Sequence, residues 1–431
     1  MSNINNVDIL IREFIMNKIN KYNENLYTYF TKNKKTLHMH LIFYNELYLL
    51  YTDKLSPNLL HTDPAINKLL HILDYCVFNK DGNIIVYMLK KNKISQPHDE
   101  NINKIIQNAD WTQIKIYNNY VGENLLLFVN PFDKEYYYID NYDEIKLIKL
   151  KDNFQLYTFI SESNKLDFST NNTYEIYVIS HKFKHLLVYE NNKLINDVIK
   201  FKEYNNGTMI YCDKQIYYSC IDELLFDLEN ISINNEQNKK LTKGGFIIEY
   251  DNLYYILNTY IYQKILDLLP KYKNINKCYL ELYKNDNLGF MINYMTPYAV
   301  DIIKRVNTSM RILSKEILNI YHLTRNKANS NLYNVLSLNL KKILFDLHNI
   351  FINTRKNEEL VDDFLGDKKS INNDIIYKYL KKMNFETLIT IYNDRDMLSE
   401  HLKNNELNID KNLILYMDCI NTKTMSYLLK L

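Results

Sequence analysis

The chain has 431 residues, 39 of them tyrosine and 46% of them hydrophobic, with a formal net charge of only +2. That supplies apolar surface for two or three domains with sizeable cores, and the charge balance excludes a strongly basic nucleic-acid coat. No run of about 18 apolar residues occurs, so no membrane span is expected, and the opening MSNINNVDILIREF lacks the basic-then-apolar order of a secretion signal.

Taken in chain order, residues 1–73 read mostly as helix. Ile9, Ile11, Phe14, Ile15 and Ile19 have helical spacing, and Leu41 to Tyr51 is a second apolar run of helix length. His38 and His40 alternate, so on a helix they share no face and make no metal pair. Residues 74–90 read as strand, turn, strand, with Asn79 to Asn83 as the turn and Lys80 on its exposed tip. Residues 91–110 read as a loop, and 111–139 as two strands turning near Asn130-Pro131. Residues 140–230 read as β-rich, with strand runs at Tyr157–Ile160 and Tyr174–Ile179. His181 and His185 are four apart, but Lys182 stands where a zinc-protease helix needs Glu, so both read as solvated. A short amphipathic helix is expected over 221–230 and a loop over 231–241.

The stretch from Thr242 to Asn287 carries the clearest pattern. A turn with Gly244 and Gly245 leads into Phe246–Tyr250, a turn at Asp251-Asn252, and a second run Leu253–Leu257, which together predict a hairpin. After Thr259 the apolar period becomes 3.6 through Tyr262, Ile265, Leu266 and Leu269, and Pro270 stops it. From about 291 the chain reads as helix. Ile303, Val306, Met310, Leu313, Ile317 and Ile320 form one seam, and Leu336, Leu340, Ile343, Leu347 and Ile350 a second. A third helical region starts at Ile375, Ile376, Tyr379, Leu380, Met383 and Leu388, and one or two more helices are expected over 394–431. Five of the six Arg lie in this part: Arg305, Arg311, Arg325, Arg355 and Arg395. Lys304, Arg311 and Lys315 fall on the side of the first helix away from its seam, where a cation can meet phosphate.

On the residues Lys243-Gly244-Gly245-Phe246-Ile247-Ile248, Tyr255-Ile256-Leu257 and Tyr279-Leu280-Glu281-Leu282, the chain resembles the end of the nucleotidyltransferase domain of phage-type RNA ligases, in the divergent form of large DNA viruses. The resemblance implies an α+β fold: a mixed-sheet nucleotidyltransferase-like domain over 74–290, after a helical region 1–73 and before an all-helical domain 291–431. It also implies that residues near 119–122 would carry a Lys-x-Asp-Gly attachment motif, whose lysine attacks the α-phosphate of ATP. Placing that glycine on Gly122 puts Asn119 at the lysine and Val121 at the aspartate, and neither side chain can act there. Tyr255 and Leu257 stand where the resemblance expects two lysines, and Glu162 is the candidate for a surviving carboxylate. Asn119, Val121, Gly122, Glu162, Lys243, Gly245, Tyr255 and Leu257 therefore outline a nucleotide pocket without its charges, with no cofactor and no metal.

The expectation is a catalytically degenerate protein that binds RNA, tRNA foremost, through Lys304, Arg305, Arg311, Lys315 and Arg325. An accessory protein of a viral or plasmid transcription or capping apparatus, docking on a protein partner, is the alternative, and an active ligase with an unrecognised lysine is another. Five widely spaced cysteines fit reduced thiols in the cytoplasm. Abundant Asn, Lys, Ile and Tyr with four Ala and seven Gly match AT-rich coding, as in large DNA viruses and yeast linear killer plasmids. A disarmed ligase framework there would suit immunity to a tRNA-cleaving toxin.

Overall fold

The structure, a computed structural model, describes residues 4–22, 25–52, 63–89, 91–94, 110–140, 145–162, 173–180, 185–190, 193–205, 208–250, 253–329, 331–356 and 370–403, with 414, 416 and 419. The chain is α+β and divides into two compact units, Met1–Asp267 and Leu268–Leu431.

The first unit opens with α1 (Ile4–Tyr22), α2 (Leu26–Leu37), β1 (Met39–Tyr44), β2 (Leu47–Thr52), α3 (Pro64–Ile72), β3 (Leu73–Asn79) and β4 (Ile84–Leu89). The strands form an antiparallel sheet in the order β1-β2-β3-β4. Alternation gives this sheet two apolar faces. Leu41, Leu50, Cys76 and Phe78 pack under Ile11, Phe14, Leu26, Phe30 and Leu69 of the helices. Leu47, Leu49, Tyr75 and Val77 point the other way, onto Leu126, Phe128, Tyr137 and Ile139 of the next sheet.

That next sheet and its companions come from β5 (Lys91–Ile94), β6 (Lys115–Asn119), β7 (Glu123–Val129), β8 (Tyr136–Asp140), β9 (Lys146–Lys149), α4 (Phe154–Glu162), β10 (Thr173–Ile179), β11 (Tyr189–Glu190), β12 (Lys193–Leu194), β13 (Asp197–Asn205), β14 (Thr208–Tyr211), α5 (Ile221–Asn238), β15 (Gly245–Tyr250), β16 (Leu253–Asn258) and α6 (Tyr260–Leu268). Six strands run β14-β13-β10-β7-β8-β9, all antiparallel. A four-stranded sheet runs β5-β16-β15-β6, in which only β5 and β16 are parallel. α4 covers one face of the six-stranded sheet through Leu156 and Ile160. Tyr177 and Phe201 on the opposite face meet Tyr117, Ile247 and Tyr254 of the four-stranded sheet. The outer face of that sheet packs under α5 through Leu224 and Leu228.

The second unit is helical throughout its described residues: α7 (Ile275–Lys284), α8 (Leu288–Met295), α9 (Ala299–Arg325), α10 (Leu332–Val335), α11 (Leu338–Lys356), α12 (Asn373–Lys382) and α13 (Phe385–Lys403). The seam on α9 is buried at Val306, Met310, Leu313, Ile317 and Ile320, and that on α11 at Leu340, Ile343 and Leu347. Side-chain caps fix two of the starts. Asn274 Oδ1 accepts the Asn276 N–H before α7, and Asn372 Oδ1 accepts the Ile375 N–H before α12. α7 lies before residue 291 and α8 starts before it, and both belong to this unit.

Several local expectations change. Leu41–Tyr51 is a hairpin rather than a helix. Asn45 and Glu46 both take positive φ, at 48° and 67°, and close the two-residue turn that suits twisted strands. The run reads as continuously apolar because both sheet faces are covered. Tyr157–Ile160 is helical, since Asn153 Oδ1 accepts the Leu156 N–H and starts α4. Residues 111–139 carry three strands, and Lys91–Ile94 is a strand instead of loop. α5 continues to Asn238 through the expected loop, because Asn235 is fully buried and works as a tie. Its Nδ2 donates to the Lys243 carbonyl, and its Oδ1 accepts from the Thr242 N–H and hydroxyl. His185 is buried rather than solvated; His181 and the Asp251-Asn252 turn lie outside the described residues. None of the five cysteines is in a disulfide among the described residues.

Candidate functional site

The degenerate pocket residues do not form one site. Asn119 closes β6 beside Gly245, which pairs with it on one side and with Asn258 on the other. The Asn119 Nδ2 donates to Asn258 Oδ1 at 2.7 Å. Asn258 Nδ2 donates to Gln263 Oε1 at 2.7 Å, and Gln263 Nε2 to Asp267 Oδ1 at 2.7 Å. This chain of amides ties the end of β6 to α6. Gly245 has φ 143°, and a Cβ there would stand 2.1 Å from the Leu257 carbonyl. Glycine is thus required by backbone approach. Val121 is buried, and Gly122 is pressed against the Val178 carbonyl of β10.

Tyr255 and Leu257 alternate onto the α5 side of their sheet, where they pack with Phe246, Ile248, Leu224 and Leu228. Lysines at these positions would be buried under a helix. The face toward the six-stranded sheet belongs instead to Ile247 and Tyr254. Glu162 is exposed at the end of α4, against the other face of the six-stranded sheet, and joins no pocket. Lys243 is exposed on the rim of a groove of about 660 Å³ between α5 and the 214–218 segment. Lys80 is exposed at its hairpin tip. The hydrogen bond to Glu46 pushes its pKa up, opposite to what a nucleophilic amine needs.

Charges do occupy the space between the two sheets, at residues the sequence did not single out. Glu175 and Lys202 are directly opposite on β10 and β13, both buried, with Lys202 Nζ 3.3 Å from Glu175 Oε2. Asn124 Nδ2 donates to Glu175 Oε1 at 2.9 Å, and Lys202 Nζ stands 4.1 Å above the Tyr254 ring centre. Nearby, buried Glu249 accepts from Lys115 Nζ at 3.1 Å. Burial first, and the Glu249 charge second, push the Tyr117 phenol up. The signal in the sequence is one carboxylate inside the otherwise neutral run Thr173–Ile179. An ammonium held by a carboxylate and a ring face is a fixed structural group.

In the helical unit, Lys304, Arg311 and Lys315 are exposed along one line of α9. Lys304 and Lys315 make no ion pair among the described residues. Arg311 is braced: its Nε donates to Asn307 Oδ1 at 3.3 Å, its Nη1 is 3.8 Å from Asp374, and its guanidinium lies 5.1 Å from the Tyr377 ring centre. Arg325 is exposed and stacks on Tyr321 at 5.2 Å. Arg305 is half-buried and lies off this line. Arg395 is internal. Its Nε and Nη2 fork onto the two oxygens of buried Glu316, each at 2.7 Å. The side chain of Arg355 lies outside the described residues. Among the described residues, no helix is long and apolar enough to cross a membrane, and no group of three His, Cys, Asp or Glu could hold a metal ion. Compared with protein-family models and with curated protein sequences, the chain matches none.

Proposed function

We propose that the chain is a non-catalytic, RNA-ligase-like protein that binds structured RNA, tRNA foremost, in the cytoplasm. The observation that carries this reading is the exposed line of Lys304, Arg311 and Lys315 on α9, with both lysines unpaired among the described residues and Arg311 held in place by Tyr377 and Asp374. A braced guanidinium between two free ammonium groups suits a phosphate backbone at low ordering cost. The loss of chemistry is supported by Asn119, whose side chain is committed to Asn258, and by Tyr255 and Leu257, which pack under α5. Such a protein acts by occupancy. It shields an anticodon loop from a tRNA-cleaving toxin when its affinity is about micromolar or better, roughly −8 kcal/mol.

The test is tRNA binding across a salt series. The triple variant K304A/R311A/K315A should lower the slope of log affinity against log salt by about two to three and weaken binding about tenfold or more at low salt. An unchanged slope would remove the reading. Incubation with α-labelled ATP and magnesium should leave no label on the denatured chain; a labelled band would restore the ligase alternative. A second reading, docking on a protein partner, is favoured by Leu338 and Phe345. They stand 83% and 60% exposed seven residues apart on α11.

A further inference from the structure

The groove between α5, β15 and the end of β6 is distinct from the α9 face and from the space between the two sheets. We propose that it takes a single unstacked nucleotide of single-stranded RNA, with the base lying on Tyr217 and the phosphate between Lys214 and Lys243. The proposal rests on the RNA-binding reading for the class of ligand and not on the α9 residues.

The volume, about 660 Å³, lies within the range of small-ligand sites, about 300–1,000 Å³. It admits one nucleotide and excludes a duplex. Tyr217 on its wall is 80% exposed, far more than a tyrosine with packing work would be. Every base has a π face, so an exposed ring on a groove wall is a stacking platform tolerant of sequence. The polar lining is unusually rich in amides: Asn118, Gln215, Asn230 and Asn234. An amide both donates and accepts, so it can meet any base edge. Asn118 lines the groove, and its Oδ1 has no hydrogen-bond partner among the described residues.

The electrostatics agree. Lys214 and Lys243 line the groove and make no ion pair among the described residues. The carboxylate in the lining, Asp227, already accepts the Tyr218 hydroxyl at 2.9 Å. A net positive rim over an amide floor with one exposed ring fits a nucleotide better than an acidic peptide, which would leave the ring and the amides unused. A base must leave its stack to lie on Tyr217, so loops and ends are preferred over helices.

Equilibrium dialysis of the full chain against 5′-phosphorylated tetra-adenylate and tetra-uridylate tests this, alongside tRNA binding. The fluorescence of Trp111, the single tryptophan, gives a second readout, because it packs in the cluster with Ile216 and Tyr218 of the groove wall. Tetranucleotides should bind saturably. Tyr217→Ala should weaken them about tenfold, and Lys214→Ala with Lys243→Ala should cut the salt slope by about 1.4. Lys68→Ala on α3 removes a lysine charge away from the groove and should change nothing. All these side chains are exposed, so the fold is not at stake. If tRNA binds through α9 but tetranucleotides do not bind, or bind Tyr217→Ala as well as the parent, the groove proposal falls alone. If neither RNA binds, both readings fall. A photo-cross-linker at position 217 that captures peptide in place of RNA would also overturn it.

Discussion

Inside the sheet unit, Glu175 and Lys202 face each other across β10 and β13 with Asn124 as a third partner. In the helical unit, Lys304 and Lys315 stand in solvent along α9, and Arg395 goes inside to fork onto Glu316. The difference comes from geometry. The central strands are covered on both faces, so a charge there must be neutralised where it stands. A surface helix hides only one stripe, so most of its charges remain free for a ligand. Spacing along the chain therefore tells which α9 residues are outside. It does not tell which side of β16 Tyr255 and Leu257 face.

The interior pairs give the largest expected effect. Arg395→Ala leaves Glu316 buried without its fork and should cost about 3–5 kcal/mol in urea unfolding. Lys202→Ala should cost less if Asn124 continues to serve Glu175. Equal losses would show that the two units bury charge in the same way. Glycines sharpen the comparison next. Gly245→Ala forces a Cβ onto the Leu257 carbonyl at a φ that L residues rarely adopt, and should cost about 3 kcal/mol. Gly289 lies near the start of α8 with nothing within 4 Å of a Cβ. Gly289→Ala should therefore raise stability by about 0.5–1 kcal/mol. A loss at position 289, or no loss at 245, would break the contrast.

The smallest effect concerns pH. Glu281 on α7 has its carboxyl pushed above the usual 4.5 by burial, with the Tyr272 hydroxyl opposing. A raised carboxyl holds its proton more tightly when folded, so its favourable contribution is present in acid and lost as pH rises above about 4.5 through the folded value. Glu281→Gln should therefore raise the melting temperature slightly more at about pH 7 than at about pH 4. A gap that narrows with rising pH would contradict the sign.

The hairpin β15–β16, the helix α6 ending before Pro270, and the α9 seam were legible because each rests on local signals: a strand run beside turn residues, and apolar steps of three and four. Local chemistry was present but misread at Asn45-Glu46, whose left-handed turn splits Leu41–Tyr51 into two strands, and at Asn153, whose side chain caps α4. The sequence by itself determined the β15–β16 hairpin, the helical end and the exposed cations of α9, because period and polarity act over neighbouring residues. Only the tertiary structure decided that Tyr255 and Leu257 lie under α5 and that Asn119 is spent on Asn258. It alone brought Lys214, Tyr217 and Lys243 onto one groove. Those placements depend on which sheet face each neighbour covers, and that is set by packing between segments far apart in the chain.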